Sequence, residues 1–133
     1  MENPNNPFGG SQQQQNPQSY QRQIAHKIWL SNLLNGSFVQ NQDQSSMVKN
    51  YVEYGVQRIA RVNIIATVVD SFTNEDGSYL SLTLDDGTST IRAKAFNEDA
   101  KPLGDINKGE RILMVGRVRE YQGEIYLAPE ITK

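Results

Sequence analysis

Two carboxylates stand side by side at Asp85 and Asp86, next to Gly87, and Arg92, Lys94 and Phe96 follow within ten residues. Paired carboxylates can hold a divalent cation or exchange a proton in acid–base catalysis. Two cations and an aromatic at alternate positions suit different chemistry: charge for phosphates and a ring on which an unpaired base stacks. The second pattern recurs at Arg117, Arg119 and Tyr121; the first recurs only in the turn-like stretches "NEDG" and "NED".

Adjacent side chains on an extended segment point to opposite faces, so Asp85 and Asp86 do not readily converge on one metal or share a proton. Asp-Gly between two alternating runs is a strong hairpin signal, and Asp side chains hydrogen-bond locally in such turns. Both carboxylates are therefore expected to be structural. His26 is the only histidine and there is no cysteine, so no Cys–His pair can form a nucleophile. Lying close to a polar N-terminal run, His26 is expected to be solvated. Glu98, Asp99 and Asp105 read as a solvated loop face. No GxSxG elbow, Walker A loop or HExxH pair occurs. The expectation is of no catalytic residue, no metal ligand and no cofactor.

The elements that position these residues can be read along the chain. Apolar residues make up 37% of the 133 residues, few for a compact domain, and Met1–Gln23 is rich in Asn, Gln, Pro, Gly and Ser. That segment buries too little apolar surface to offset its ordering entropy and is expected to be a disordered tail. The remainder, 24–133, reads as one domain. "IAHKIWLSNLLNGSF" suggests a short helix over Asn32–Asn35, with Ser31 as N-cap and Gly36 as stop. Trp29, amid Ile28, Leu30, Leu33 and Leu34, is expected to plug one end of the core. Val39–Gly55 reads as a polar connector, partly loop.

From Arg58 the pattern becomes strand-like. "RIARVNIIATVVDSF" is the first strand, "NEDG" a turn, and "SYLSLTLDDG" the second strand with Leu80, Leu82 and Leu84 on one face. In "TSTIRAKAF", Ile91, Ala93 and Ala95 face one way and Arg92, Lys94 and Phe96 the other. "NEDAKPLGDINKGE" has room for a short helix. "RILMVGRVREY" is the fourth strand, with Gly116 marking a bulge or bend, and "EIYLAPEI" is the fifth after a turn at "QG". Tyr126 could face either way. Five short strands in this order give an all-β fold, a five-stranded Greek-key OB barrel with a short helix between strands three and four. An SH3-like barrel is the nearest competitor.

Net charge is −2, which argues against a strongly basic nucleic-acid binder, yet cations cluster locally at "RIAR", "IRAK" and "GRVR", and this local pattern carries the signal. No run of 18 apolar residues and no secretory leader pattern is present. No membrane association is expected, and an intracellular protein is.

The ordered series "IAHKIWLSNLLNGSFV", "RIARVNIIATVV", "LTLDDGTSTIRAKAF" and "INKGERILMVGRVREYQGEIYLAPEI" resembles the middle subunit of replication protein A, closest to its archaeal form. The likeness runs from Ile24 to Ile131. It implies an OB domain of a heterotrimer, with large and small subunits and single-stranded DNA as partners, acting with the chromosome in replication, recombination and repair. It implies base stacking by Phe96 and Tyr121, which match the family's aromatics at the end of strand three and just after strand four. Arg92, Lys94, Arg117 and Arg119 fall where phosphate contacts are expected. The family's trimer-forming helix and winged-helix domain have no counterpart before "EITK". The expectation is either a cut chain or one that does not trimerise through that helix. A barrel kept mainly for assembly and an RNA-binding barrel are the alternatives.

Overall fold

A computed structural model describes residues 24–40 and 50–133; the tail expected over Met1–Gln23 lies outside these. Nine strands, one α-helix and one 3-10 helix are formed among them: β1 (Ala25–Lys27), α1 (Leu30–Asn35), β2 (Ser37–Gln40), β3 (Asn50–Tyr54), β4 (Gln57–Ile59), β5 (Arg61–Thr73), β6 (Tyr79–Asp85), β7 (Thr90–Phe96), the 3-10 helix Asn97–Leu103, β8 (Arg111–Tyr121) and β9 (Glu124–Thr132).

Alternation makes the barrel. Val62, Ile64, Ala66 and Val68 of β5, Leu80, Leu82 and Leu84 of β6, and Ile91, Ala93 and Ala95 of β7 all turn inward. Ile112, Met114 and Val118 of β8 and Leu127 of β9 join them. Each large side chain so buried contributes about 1.5–3 kcal/mol relative to exposure. The sheet runs β1-β5-β6-β7-β9-β8, and an antiparallel β5–β8 pairing from Arg61↔Arg117 to Thr67↔Arg111 closes it. β7 and β9 pair in parallel, with Tyr126 opposite Arg92 and Leu127 opposite Ala93. β1 is a short sixth strand, parallel to the first half of β5. The five expected strands and the helical turn after the third are all present.

β5 contains a register shift between Val68 and Asp70. Such a bulge inserts one residue and reverses which face the following side chains take. Even-numbered residues point inward up to Val68, and after the shift Phe72 points outward, opposite Ser81. At Gly116 the irregularity lies across the ladder, in β9 between Pro129 and Ile131. A Cβ at Gly116 would stand 3.1 Å from the Ala128 carbonyl oxygen.

The N-terminal part departs from expectation in four ways. First, α1 begins at Leu30, and Ser31 is not its cap. The amides of Leu30 and Ser31 donate instead to Asp86 Oδ2 (2.8 Å) and Thr88 Oγ1 (3.0 Å), so the β6–β7 turn caps the helix. Second, Trp29 is 60% exposed; Leu30 and Leu33, fully buried, plug the core in its place. Third, the connector contributes β3 and part of β2 to an antiparallel sheet, β2-β3-β4, whose last strand takes Arg58 and Ile59 from the expected first strand; this sheet packs Val52 and Ile59 into the core. Fourth, His26 sits within β1, and its Nδ1 is buried without a hydrogen-bond partner.

Helix and hairpin meet at Gly36. A Cβ there would overlap Val52 Cγ1 and stand 2.8 Å from the Glu53 carbonyl oxygen. Gly36→Ala is therefore expected to destabilise the fold by about 1–3 kcal/mol through overpacking, read as a lower urea midpoint with an unchanged slope.

Candidate nucleic-acid interface

Three aromatics form a ladder across the outer face of β5, β6 and β7. The Phe72 and Tyr79 ring centroids are 6.1 Å apart, and those of Tyr79 and Phe96 5.1 Å. Tyr79 and Phe96 are directly opposed cross-strand partners, where paired rings interact favourably. Phe72 and Phe96 are more than half exposed. The β5–β6 loop fixes the middle ring: Asn74 Oδ1 accepts the Tyr79 amide at 3.0 Å, and Asn74 Nδ2 donates to Ser78 Oγ. Asp76 Oδ1 accepts the Ser78 amide, and hydrogen bonds from Ser78 hold the Asp76 carboxyl below the usual range.

The expected cations lie beside this ladder, most of them already engaged. Glu124, first residue of β9, accepts from Arg92 Nε (2.7 Å) and Nη2 (2.6 Å), and from Lys94 Nζ (3.0 Å). The Arg92 hydrogen bonds, with help from Lys94, pull the Glu124 carboxyl down to about 2 against some burial. Since its folded value is depressed, this ion pair is complete above the ordinary value of 4.5 and fails only as pH falls toward 2. Lys94 also lies over the Tyr126 ring, 4.5 Å from its centroid, and its side chain is 10% exposed. That settles Tyr126 on the outer face.

Arg117 Nε pairs with Glu130 Oε2 at 2.8 Å, and the other Glu130 oxygen accepts from Arg61 Nε at 2.7 Å. Burial opposes ionisation of Glu130, but Arg61 and Arg117 outweigh it and its carboxyl is lowered. Arg119 alone of the four expected phosphate contacts has no acidic partner among the described residues; it donates to the Val118 carbonyl oxygen. Lys94, Phe96, Arg119 and Tyr126 line one depression of about 220 Å3. Tyr121, 61% exposed, stands apart at the end of β8, where the Gln122–Gly123 turn leads to Glu124.

The fold thus brings Arg92, Lys94, Phe96 and Arg119 together. Arg117 belongs to the adjacent Glu130 cluster and Tyr121 to the hairpin tip. Sequence reasoning did not find Phe72, Tyr79, Glu124 or Glu130. Asp85 and Asp86 form the turn, as expected: Asp85 accepts the Gly87 amide, and Asp86 those of Thr88 and Ser89. Among the described residues no three of His, Cys, Asp and Glu group as a metal site requires.

A closed five-stranded barrel, with its third and fifth strands parallel, a helical turn between the third and fourth, and aromatics on its outer face, is an OB fold. Residues 62–132 match the family described as OB-fold nucleic acid binding domain, and the chain belongs to that family. Comparison with curated proteins gives no match. Among solved structures, a chain of the Schizosaccharomyces pombe Stn1–Ten1 complex superposes with a TM-score of 0.69 at 15% identity, over 84% of this chain and 78% of that one. A chain of a replication protein A heterotrimer bound to single-stranded DNA gives 0.63 at 14%, over 84% and 80%. Yeast replication protein A bound to single-stranded DNA gives 0.59 at 18%, over 83% and 75%. At these identities the likeness is one of fold.

Proposed function

We propose that this chain is a non-catalytic OB subunit that binds single-stranded DNA, in the manner of the middle subunit of a replication protein A-like complex acting in replication, recombination and repair. The observation that carries the reading is the Phe72–Tyr79–Phe96 ladder beside the depression at Lys94 and Arg119. Rings stack on bases without regard to sequence, and the cations follow the backbone. In this reading Tyr121 is a further stacking ring, and Arg92, Lys94, Arg117 and Arg119 meet phosphates. Anisotropy of a labelled oligothymidine, repeated at several salt concentrations, tests it. The expected result is micromolar or weaker affinity, falling with salt by a slope of roughly 0.7 per phosphate neutralised. An equal response to duplex DNA, or none at low salt, sinks the reading; an oligouridine run alongside tests RNA.

A second reading, an assembly module with little DNA affinity, is favoured by one fact: Glu124 and Glu130 already hold Arg92, Lys94, Arg61 and Arg117. The two readings part at Glu124→Gln. If the face binds DNA, freeing Arg92 and Lys94 tightens binding and steepens the salt slope by roughly 0.7 per cation released. If the barrel serves assembly alone, the variant binds no better than the parent.

A further inference from the structure

A second concavity lies away from the aromatic ladder. Between β1, the start of α1 and the β3–β4 hairpin lies a cleft of about 710 Å3, within the range of small-ligand sites. It shares no lining residue with the depression at Lys94 and none with the aromatic ladder. Asp86, which lines it, follows β6, whereas Tyr79 begins that strand; seven residues of strand span about 20 Å.

The lining has three kinds of group. Trp29 and Ile65 are both more than half exposed. Trp29 serves α1 through its carbonyl oxygen, which accepts the amides of Asn32 and Leu33 at 3.0 Å each, so its indole has no part in the cap. Lys27 and Arg111 supply positive charge, and among the described residues neither has an acidic partner. The one carboxylate in the cleft, Asp86, is occupied by donors from Leu30, Thr88 and Ser89. The amides of Asn32, Gln57 and Asn63 complete the polar lining with His26, whose buried Nδ1 has no partner and is costly to leave so.

An indole for a planar ring, amides for its polar edge and two unpaired cations for an anion are complementary to one kind of small molecule. We propose that this cleft binds a single nucleotide unit, its base against Trp29 and Ile65 and its phosphate on Lys27 and Arg111. The site does not depend on the strand-binding reading. A free mononucleotide and the phosphorylated end of a strand present the same chemistry. A protein segment would use the apolar residues and leave the amide and cation lining without a role.

Trp29 is the only tryptophan, so its emission reports on this cleft. The protein is titrated with deoxyadenosine and thymidine monophosphates, with the two nucleosides, and with oligothymidine carrying or lacking a 5′-phosphate. The expected result is a saturable change with the monophosphates, with nucleosides about tenfold weaker for want of the phosphate. Arg111→Gln brings the monophosphate down to the level of the nucleoside. By calorimetry Trp29→Phe retains binding and Trp29→Ala weakens it about tenfold or more, as loss of a stacked ring requires. Stronger perturbation of Trp29 by the 5′-phosphorylated oligomer assigns the site to strand ends; an equal response from both oligomers, below that of the monophosphates, assigns it to free nucleotides. The proposal falls if monophosphates leave Trp29 unperturbed. It falls equally if saturating oligothymidine lacking the phosphate competes the mononucleotide away, or if neither Arg111→Gln nor Trp29→Ala changes affinity.

Discussion

Truncation of Tyr79 and Phe96 together to alanine is expected to cost most of the affinity for oligothymidine. A base stacked on a ring contributes about 1–3 kcal/mol, so Phe96→Ala alone should weaken binding roughly fivefold to hundredfold. Tyr79 touches both Phe72 and Phe96 and holds the outer rings in place. Tyr79→Ala should therefore approach the effect of Phe96→Ala, and the double variant should fall short of the sum, since residues in contact are not additive. Phe96→Ala combined with Tyr121→Ala should come closer to additivity, because no ring contact joins that pair among the described residues. Anisotropy at one fixed salt concentration reads all four, with thermal melts to confirm folding. Unchanged affinity in the Tyr79/Phe96 double variant removes the ladder from the site.

The largest effect on stability is expected at Asp86. One oxygen accepts from the Thr88 amide (2.8 Å), the Thr88 hydroxyl (2.7 Å) and the Ser89 amide (3.3 Å), and the other from the Leu30 amide (2.8 Å). Burial opposes ionisation, but these hydrogen bonds, that of Leu30 foremost, outweigh it and hold the carboxyl below 3.8. Removing a helix cap costs about 1–2 kcal/mol, and Asp86→Ala takes the turn's hydrogen bonds away as well. Its folded value being depressed, the stabilisation that depends on charge is complete above 3.8 and is lost as pH falls through the folded value. Urea unfolding of the parent and of Asp86→Asn should accordingly differ most at neutral pH and converge in acid. A gap that is constant with pH would show that shape, not charge, sets the contribution.

How much of this was legible in the residues depends on the range over which each signal acts. The barrel strands were legible because a two-residue period is local: Leu80, Leu82 and Leu84, then Ile91, Ala93 and Ala95, each declare a face unaided. Phe96 follows from the same alternation. Phe72 does not, because the bulge after Val68 reverses the faces and no residue type announces it. Tyr79 needs the register that sets it opposite Phe96, and register belongs to two strands at once. The pairing of Glu124 with Arg92 spans 32 residues and exists only because β7 and β9 run in parallel. The cap on α1 is hidden for the same reason: Asp86 lies 56 residues from Leu30. The β2-β3-β4 sheet escaped notice because its strands are only three to five residues long, too short for a period to show.

The acidic residues interleaved with the cations have a consequence in time. A face on which Arg92, Lys94 and Arg117 are already matched by Glu124 and Glu130, with Arg119 the one exception among the four, projects little field into solvent. Without long-range steering, encounters form at about 10⁵–10⁶ M⁻¹ s⁻¹, where strongly charged partners reach 10⁸ or more. In the proposed strand-binding reading, each encounter must also exchange a carboxylate for a phosphate before Arg92 is engaged. On the proposed reading, arrivals at such a face are slow, and how long a strand stays is governed by the rings.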